Sequence, residues 1–193
     1  VLATLVSDEL HFPNLSMVGV DDRAAAYQAV SYLIRQGHRK IAVLGGPATS
    51  YPSKMRRQGA QQAMEDAGIL FQDKLYGLSN YDFESAYHAM NGLLARRAEF
   101  TALFAMSDVI AFGAIRALVS AGLRVPEDVS VIGFDGITMS RYCVPVMTTI
   151  VQPSEQIALQ SIELLVRQIE HGSPAQTVTL QPELQQGESV RAI

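Results

Sequence analysis

Short apolar runs, many of them β-branched, recur along the chain and alternate with stretches whose apolar residues fall at helical spacing. The runs cover residues 1–6, 17–20, 41–44, 75–78, 101–106 and 129–134, and each is short enough to be a strand. Between them, Ala26, Val30, Leu33 and Ile34 lie on one face of a helix that Asp21 or Asp22 can cap and Gly37 can end. A second helix is predicted over residues 53–67, stopping at Gly68, and a third over 83–97. A fourth begins after Ser107-Asp108 and ends at Gly122, with Pro126 beyond it.

From Ile41 onward one helix separates each strand from the next at intervals of roughly 30 residues, the rhythm of βαβ crossovers in a parallel sheet. The predicted fold is therefore α/β, an open parallel sheet flanked by helices. The tail changes character. A strand at 148–151 leads through Pro153 into a long helix over 154–170, striped by Ala158, Ile162, Leu165 and Ile169. Gly172 and Pro174 stop it, and two short strands follow at 177–180 and 183–186. Repeats, low-complexity tracts and flexible linkers are absent from the sequence.

Composition narrows the function classes. Hydrophobic residues make up 48% of the chain, enough to form a core and to argue against disorder. Fifteen Lys and Arg stand against 19 Asp and Glu, a net charge of −4, so the chain lacks the basic face with which proteins neutralise phosphates on DNA. Cys143 is alone, which excludes an intrachain disulfide and suits a reducing compartment. The apolar runs fall short of the roughly 20 residues that span a membrane. The first residues, VLATLVSDELH, are not a secretory leader, and because they open directly as strand the numbering is expected to begin inside a larger fold.

Catalytic and metal motifs are not found. His11, His38, His88 and His171 are scattered without ligand spacing, so neither a metal nor a cofactor is expected. Gly45-Gly46-Pro47 follows a strand but lacks the G-K-[ST] of a phosphate loop, and it reads as a tight turn.

The ends of the parallel strands are where polar groups gather. Gly45-Gly46-Pro47 is followed by Ser50, Tyr51, Ser53 and Arg56; residues 75–78 by Asn80, Tyr81 and Asp82; residues 101–106 by Ser107 and Asp108; Phe134 by Asp135. In open α/β sheets such sets converge on one crevice at the carboxyl ends of the strands. Carboxylates accept from hydroxyls or ring N–H groups, Arg56 offers fixed donors and Tyr81 an aromatic face, which suits a small polar ligand. Other readings stand beside these. Asp108 and Ser107 precede a helix and can simply cap it, one of Arg56 and Arg57 can face water, and Tyr81 can rest on the core. Asp135 has no nearby helix to cap.

Three stretches, in order, resemble the effector-binding core of LacI/GalR transcriptional repressors, a periplasmic binding protein-like fold: VGVDDRAAAYQAVSYLIRQGHRKIAVLGG, AGLRVPEDVSVIGFD and MTTIVQP with the long helix after it. The resemblance implies two Rossmann-like subdomains that hold a sugar, sugar phosphate or nucleobase between them. It places Arg56, three residues before Gly59, at the arginine that contacts the effector, Tyr81 at the stacking aromatic, Ser107-Asp108 at the usual Asn-Asp pair, and Asp135 at the effector-binding aspartate. Ser50 matches more weakly. Three departures bear on specificity: Ser107 for the commoner Asn, Gly136 for a second Asp or Asn, and Pro52 before Arg56.

On this mapping residues 1–18 and 151–172 are remnants of the first subdomain, while 19–150 and 173–193 form the second. The resemblance further implies a homodimer in the cytoplasm, with operator DNA held through a helix-turn-helix before Val1 and the effector shifting a population between DNA-competent and incompetent states. Rival expectations are a periplasmic sugar-binding protein of a transport system, a small α/β enzyme and a bare dimerisation module.

Overall fold

A computed structural model describes residues 15–193. The strand expected at residues 1–6 and most of the segment 1–18 lie outside the described residues. The order is β1 (Met17–Val20), α1 (Asp22–Arg35), β2 (Ile41–Gly45), α2 (Tyr51–Asp66), β3 (Tyr76–Leu78), α3 (Phe83–Ala95), β4 (Ala102–Ala105), α4 (Asp108–Ser120), β5 (Ser130–Asp135), β6 (Thr148–Val151), α5 (Ser154–His171), β7 (Thr177–Leu180) and β8 (Glu183–Gln185). The run expected as strand from Leu75 opens with a single 3-10 turn at Asp73–Leu75.

Six strands form the main sheet in the order β3-β2-β4-β5-β6-β8. The first five are parallel and β8 closes the edge antiparallel to β6. Every residue of β2 and β4 is buried, which explains why central strands read as continuous apolar runs and not as alternating ones. The chain leaves β2 toward β3 and returns to place β4 on the other side, so the strand order reverses between β2 and β4.

Small residues let the helices approach closely. Ala25, Ala26 and Ala29 of α1 are buried where α1 packs on α2. A Cβ on Gly59 of α2 would stand 2.0 Å from the Arg23 carbonyl oxygen, so only glycine fits that crossing. On the other face α3 packs on α4, with Ala111, Ala114 and Ala117 buried.

The tail strands divide between two sheets. Only β8 joins the main sheet; β7 pairs in parallel with β1, in register from Met17 and Thr177 to Val20 and Leu180. β1 and β7 thus share main-chain hydrogen bonds with each other, and α5 packs beside β1. The stripe read on α5 is displaced. Ser161 and Leu164 are its buried residues, whereas Ile162 and Ile169 are 57% and 74% exposed.

Candidate functional site

Helix capping fixes the polar groups at the carboxyl end of the sheet. Ser50 Oγ accepts from Ser53 N at 3.5 Å at the start of α2, and Ser107 Oγ accepts from Ile110 N at 3.1 Å at the start of α4. Both serines thus serve their helices first. Asp21 caps α1 by accepting from Ala24 N at 2.9 Å, which leaves the neighbouring Asp22 free for a different task.

That task is Arg56. Two turns into α2 its side chain turns toward the switch point, where Nε donates to Asp22 Oδ1 at 2.7 Å and Nη1 to the carbonyl oxygen of Met106, just past β4. Nη1 also lies 3.6 Å from Asp135 Oδ1. The guanidinium sits 3.6 Å from the centre of the Phe134 ring, a favourable stack for a delocalised cation. One arginine therefore ties together the starts of α1 and α2 and the ends of β4 and β5. Arg57, its neighbour, stacks instead on Tyr76 and Phe71 and pairs with Asp73 at 3.3 Å.

Asp135 ends β5 with φ 113°, a region L-residues seldom occupy, and Gly136 follows at φ 70°. Gln152 Nε2 donates to Asp135 Oδ1 at 2.7 Å. Burial pushes the Asp135 carboxyl above its ordinary range, with Arg56 and then Gln152 pulling it back.

Asp108 lies beneath this cluster, next to Asp135. It is fully buried: Oδ1 accepts from Thr149 Oγ1 at 2.6 Å and Oδ2 from Ile137 N at 2.9 Å. Its space is cut by a glycine, since a Cβ on Gly133 would stand 2.2 Å from Asp108 Oδ1. Its two carboxylate oxygens thus tie the start of α4 to β6 and to the turn that follows Asp135. Burial raises its pKa to about 6.

Tyr81 follows β3 at φ 60°, with its ring laid so closely on the β2 turn that a Cβ on Gly46 would fall 2.2 Å from it. Its hydroxyl is buried without a hydrogen-bond partner. The structure therefore brings Arg56 and Asp135 together, sets Tyr81 over the glycine turn, and uses Ser50, Ser107 and Asp108 for support. Asp22 was read from the sequence only as a possible helix cap, and Gln152 was not singled out. Both stand in stretches that carry the resemblance, but only a contact 34 residues away distinguishes Asp22 from a helix cap.

The periplasmic binding protein-like domain matches residues 30–190. The chain belongs to that family. Within it, the chain is similar to transcriptional regulators. It is 38% identical over 170 residues to the HTH-type transcriptional repressor CytR of Escherichia coli K12, covering 88% of this chain and 49% of that protein. It is 38% identical over 174 residues to the HTH-type transcriptional regulator MalR of Clostridium butyricum, covering 90% and 52%. The transcriptional regulator CelR in complex with cellobiose superposes with a TM-score of 0.89 at 33% identity, covering 93% of this chain and 55% of that one. The chain spans about half the length of the curated relatives it matches. All three are transcriptional regulators by name, which favours the regulator reading over the transport one.

Proposed function

We propose that this chain is the effector-sensing part of a LacI-type transcriptional repressor, and that its ligand meets Asp135 and Arg56 at the carboxyl end of the parallel sheet. The observation that carries this reading is the Asp22–Arg56–Asp135 cluster at the point where the strand order reverses, the place where open α/β sheets take ligands. Tyr81 flanks the ligand, while Ser50, Ser107 and Asp108 hold the surrounding turns in place.

In this reading β1, β7 and α5 belong to a first subdomain, the main sheet to the second, and the effector closes one on the other. The full-length protein is a cytoplasmic homodimer that reaches operator DNA through a helix-turn-helix outside these residues and does no chemistry on its ligand. The effector controls DNA binding only as far as it prefers one closure state.

A thermal-shift screen with sugars, sugar phosphates and nucleobases tests the site. A ligand at about 100 times its Kd adds about 2.7 kcal/mol of stability. The expected result is a shift with one ligand class that Asp135→Ala abolishes; a shift that survives Asp135→Ala moves the site elsewhere.

A further inference from the structure

The charge balance of this wall bears on the class of ligand, within the effector-sensing reading just given. Its cation faces two carboxylates, Asp22 at 2.7 Å and Asp135 at 3.6 Å. The side chain of Arg56 keeps only 7% exposure, against 16% for Asp22 and 25% for Asp135, so the surface it shares with them is mainly acceptor. Phe134 covers one face of the guanidinium, and Nε and Nη1 are both committed, leaving Nη2 outside these contacts.

Neighbouring cations do not restore the balance. Arg57 is stacked and paired with Asp73, and Lys54 is exposed, off the buried stripe of Ser53, Arg56, Ala60 and Ala63. Helix N-termini, which ordinarily attract anions, are already answered here. The first turn of α2 contains Pro52, which has no N–H, and its Ser53 N donates to Ser50. At α4 Ser107 takes Ile110 N and the Asp108 carboxylate sits in the first turn; at α1 Asp21 caps and Asp22 follows.

We infer that the ligand of this site is an uncharged small molecule rich in hydroxyl or ring N–H donors, and that its phosphorylated counterpart is rejected. A donor-rich ligand can donate to the parts of the Asp22 and Asp135 carboxylates that stay exposed beside Arg56. A phosphate brought beside Asp22 and Asp135 would instead meet like charge in a partly desolvated crevice.

Calorimetry on the full-length protein with matched pairs tests this: ribose and ribose 5-phosphate, glucose and glucose 6-phosphate, trehalose and trehalose 6-phosphate, adenosine and adenosine monophosphate, cytidine and cytidine monophosphate. The expected result is one neutral compound that binds at least ~10-fold tighter than its phosphorylated partner. Asp22→Asn, checked for folding by circular dichroism, then narrows that ratio by freeing Arg56; if the variant does not fold, the wild-type ratio still decides. A phosphorylated member that binds as tightly as its neutral partner overturns the inference and leaves the sensing role intact. Failure of every pair to bind overturns both.

Discussion

Arg56 Nε donates to Asp22 Oδ1 at 2.7 Å, joining the second turn of α2 to the first turn of α1 across 34 residues of sequence. That bond adds to the Met106 carbonyl and the Phe134 stack in drawing the Arg56 side chain out of water. With it, the cation is held below Phe134, and Asp135 gains its nearest positive charge. The same contacts that fold the site therefore set its electrostatics.

Arg56→Ala should be strongly destabilising, because it leaves two partly buried carboxylates facing each other without a cation. Breaking such a pair from one side costs about 3 kcal/mol, at the lower end for buried pairs since both carboxylates keep some solvent. The urea midpoint should fall accordingly, and adding Asp22→Asn should recover part of the loss. A change below about 0.5 kcal/mol would place the cluster with ordinary surface pairs.

How much of this was legible in the sequence differs from element to element. β2 and β4 were plain because a fully buried parallel strand must be apolar at every position, and α1 because Ala26, Val30 and Leu33 face the core. The pairing of β7 with β1 was not legible, since four residues of alternating pattern name no partner. The stripe on α5 was visible but its buried side was not: periodicity locates an apolar face, and only packing decides which neighbour covers it. At the site, Asp135 stood out for lacking a helix to cap. Which of Asp21 and Asp22, and which of Ser107 and Asp108, caps its helix stayed open in the sequence, because two polar residues beside a helix start are equivalent until the caps are seen.

Asp108 gives the protein a pH dependence of unusual sign. Its folded pKa, about 6, lies above the unfolded value, so the folded state binds more protons than the unfolded one in between. Stability should fall as pH rises from about 4 to about 6, by on the order of 2 kcal/mol from this group, with Asp135 adding in the same direction. Asp108→Asn can still accept from Ile137 N and donate to Thr149, and it should flatten that slope. Urea midpoints at about pH 4.5 and about pH 7 provide the comparison; a variant that keeps the parent's difference would show that Asp108 does not titrate there.

Gly59→Ala should disturb the site without touching it. The added methyl meets the Arg23 carbonyl at 2.0 Å, and backbone cannot swing aside as a side chain can. α1 and α2 must separate, which costs about 1–3 kcal/mol and lengthens the Arg56–Asp22 contact. Gly92→Ala, where nothing lies within 4 Å of the new Cβ, is the control and should leave stability unchanged or raised. Melting of the two variants side by side separates close packing from the general effect of replacing a helical glycine.

Away from the site, Ser189 is fully buried where residues 187–191 run beside β5 and β6. Its Oγ accepts from Thr148 N at 2.8 Å and donates to Val131 O at 2.6 Å, and its main chain accepts from Val131 N at 2.7 Å. Ser189→Ala keeps the main-chain bond and the side-chain volume nearly unchanged but strips Thr148 N–H of the hydroxyl it donates to. An unpaired buried donor of this kind costs about 1–3 kcal/mol. Hydrogen exchange should then show the Thr148 amide losing protection well before the neighbouring amides of β5, because the loss begins at one bond. If Thr148 stays as protected as in the parent, a water has taken the place of the hydroxyl and the destabilisation should be correspondingly small.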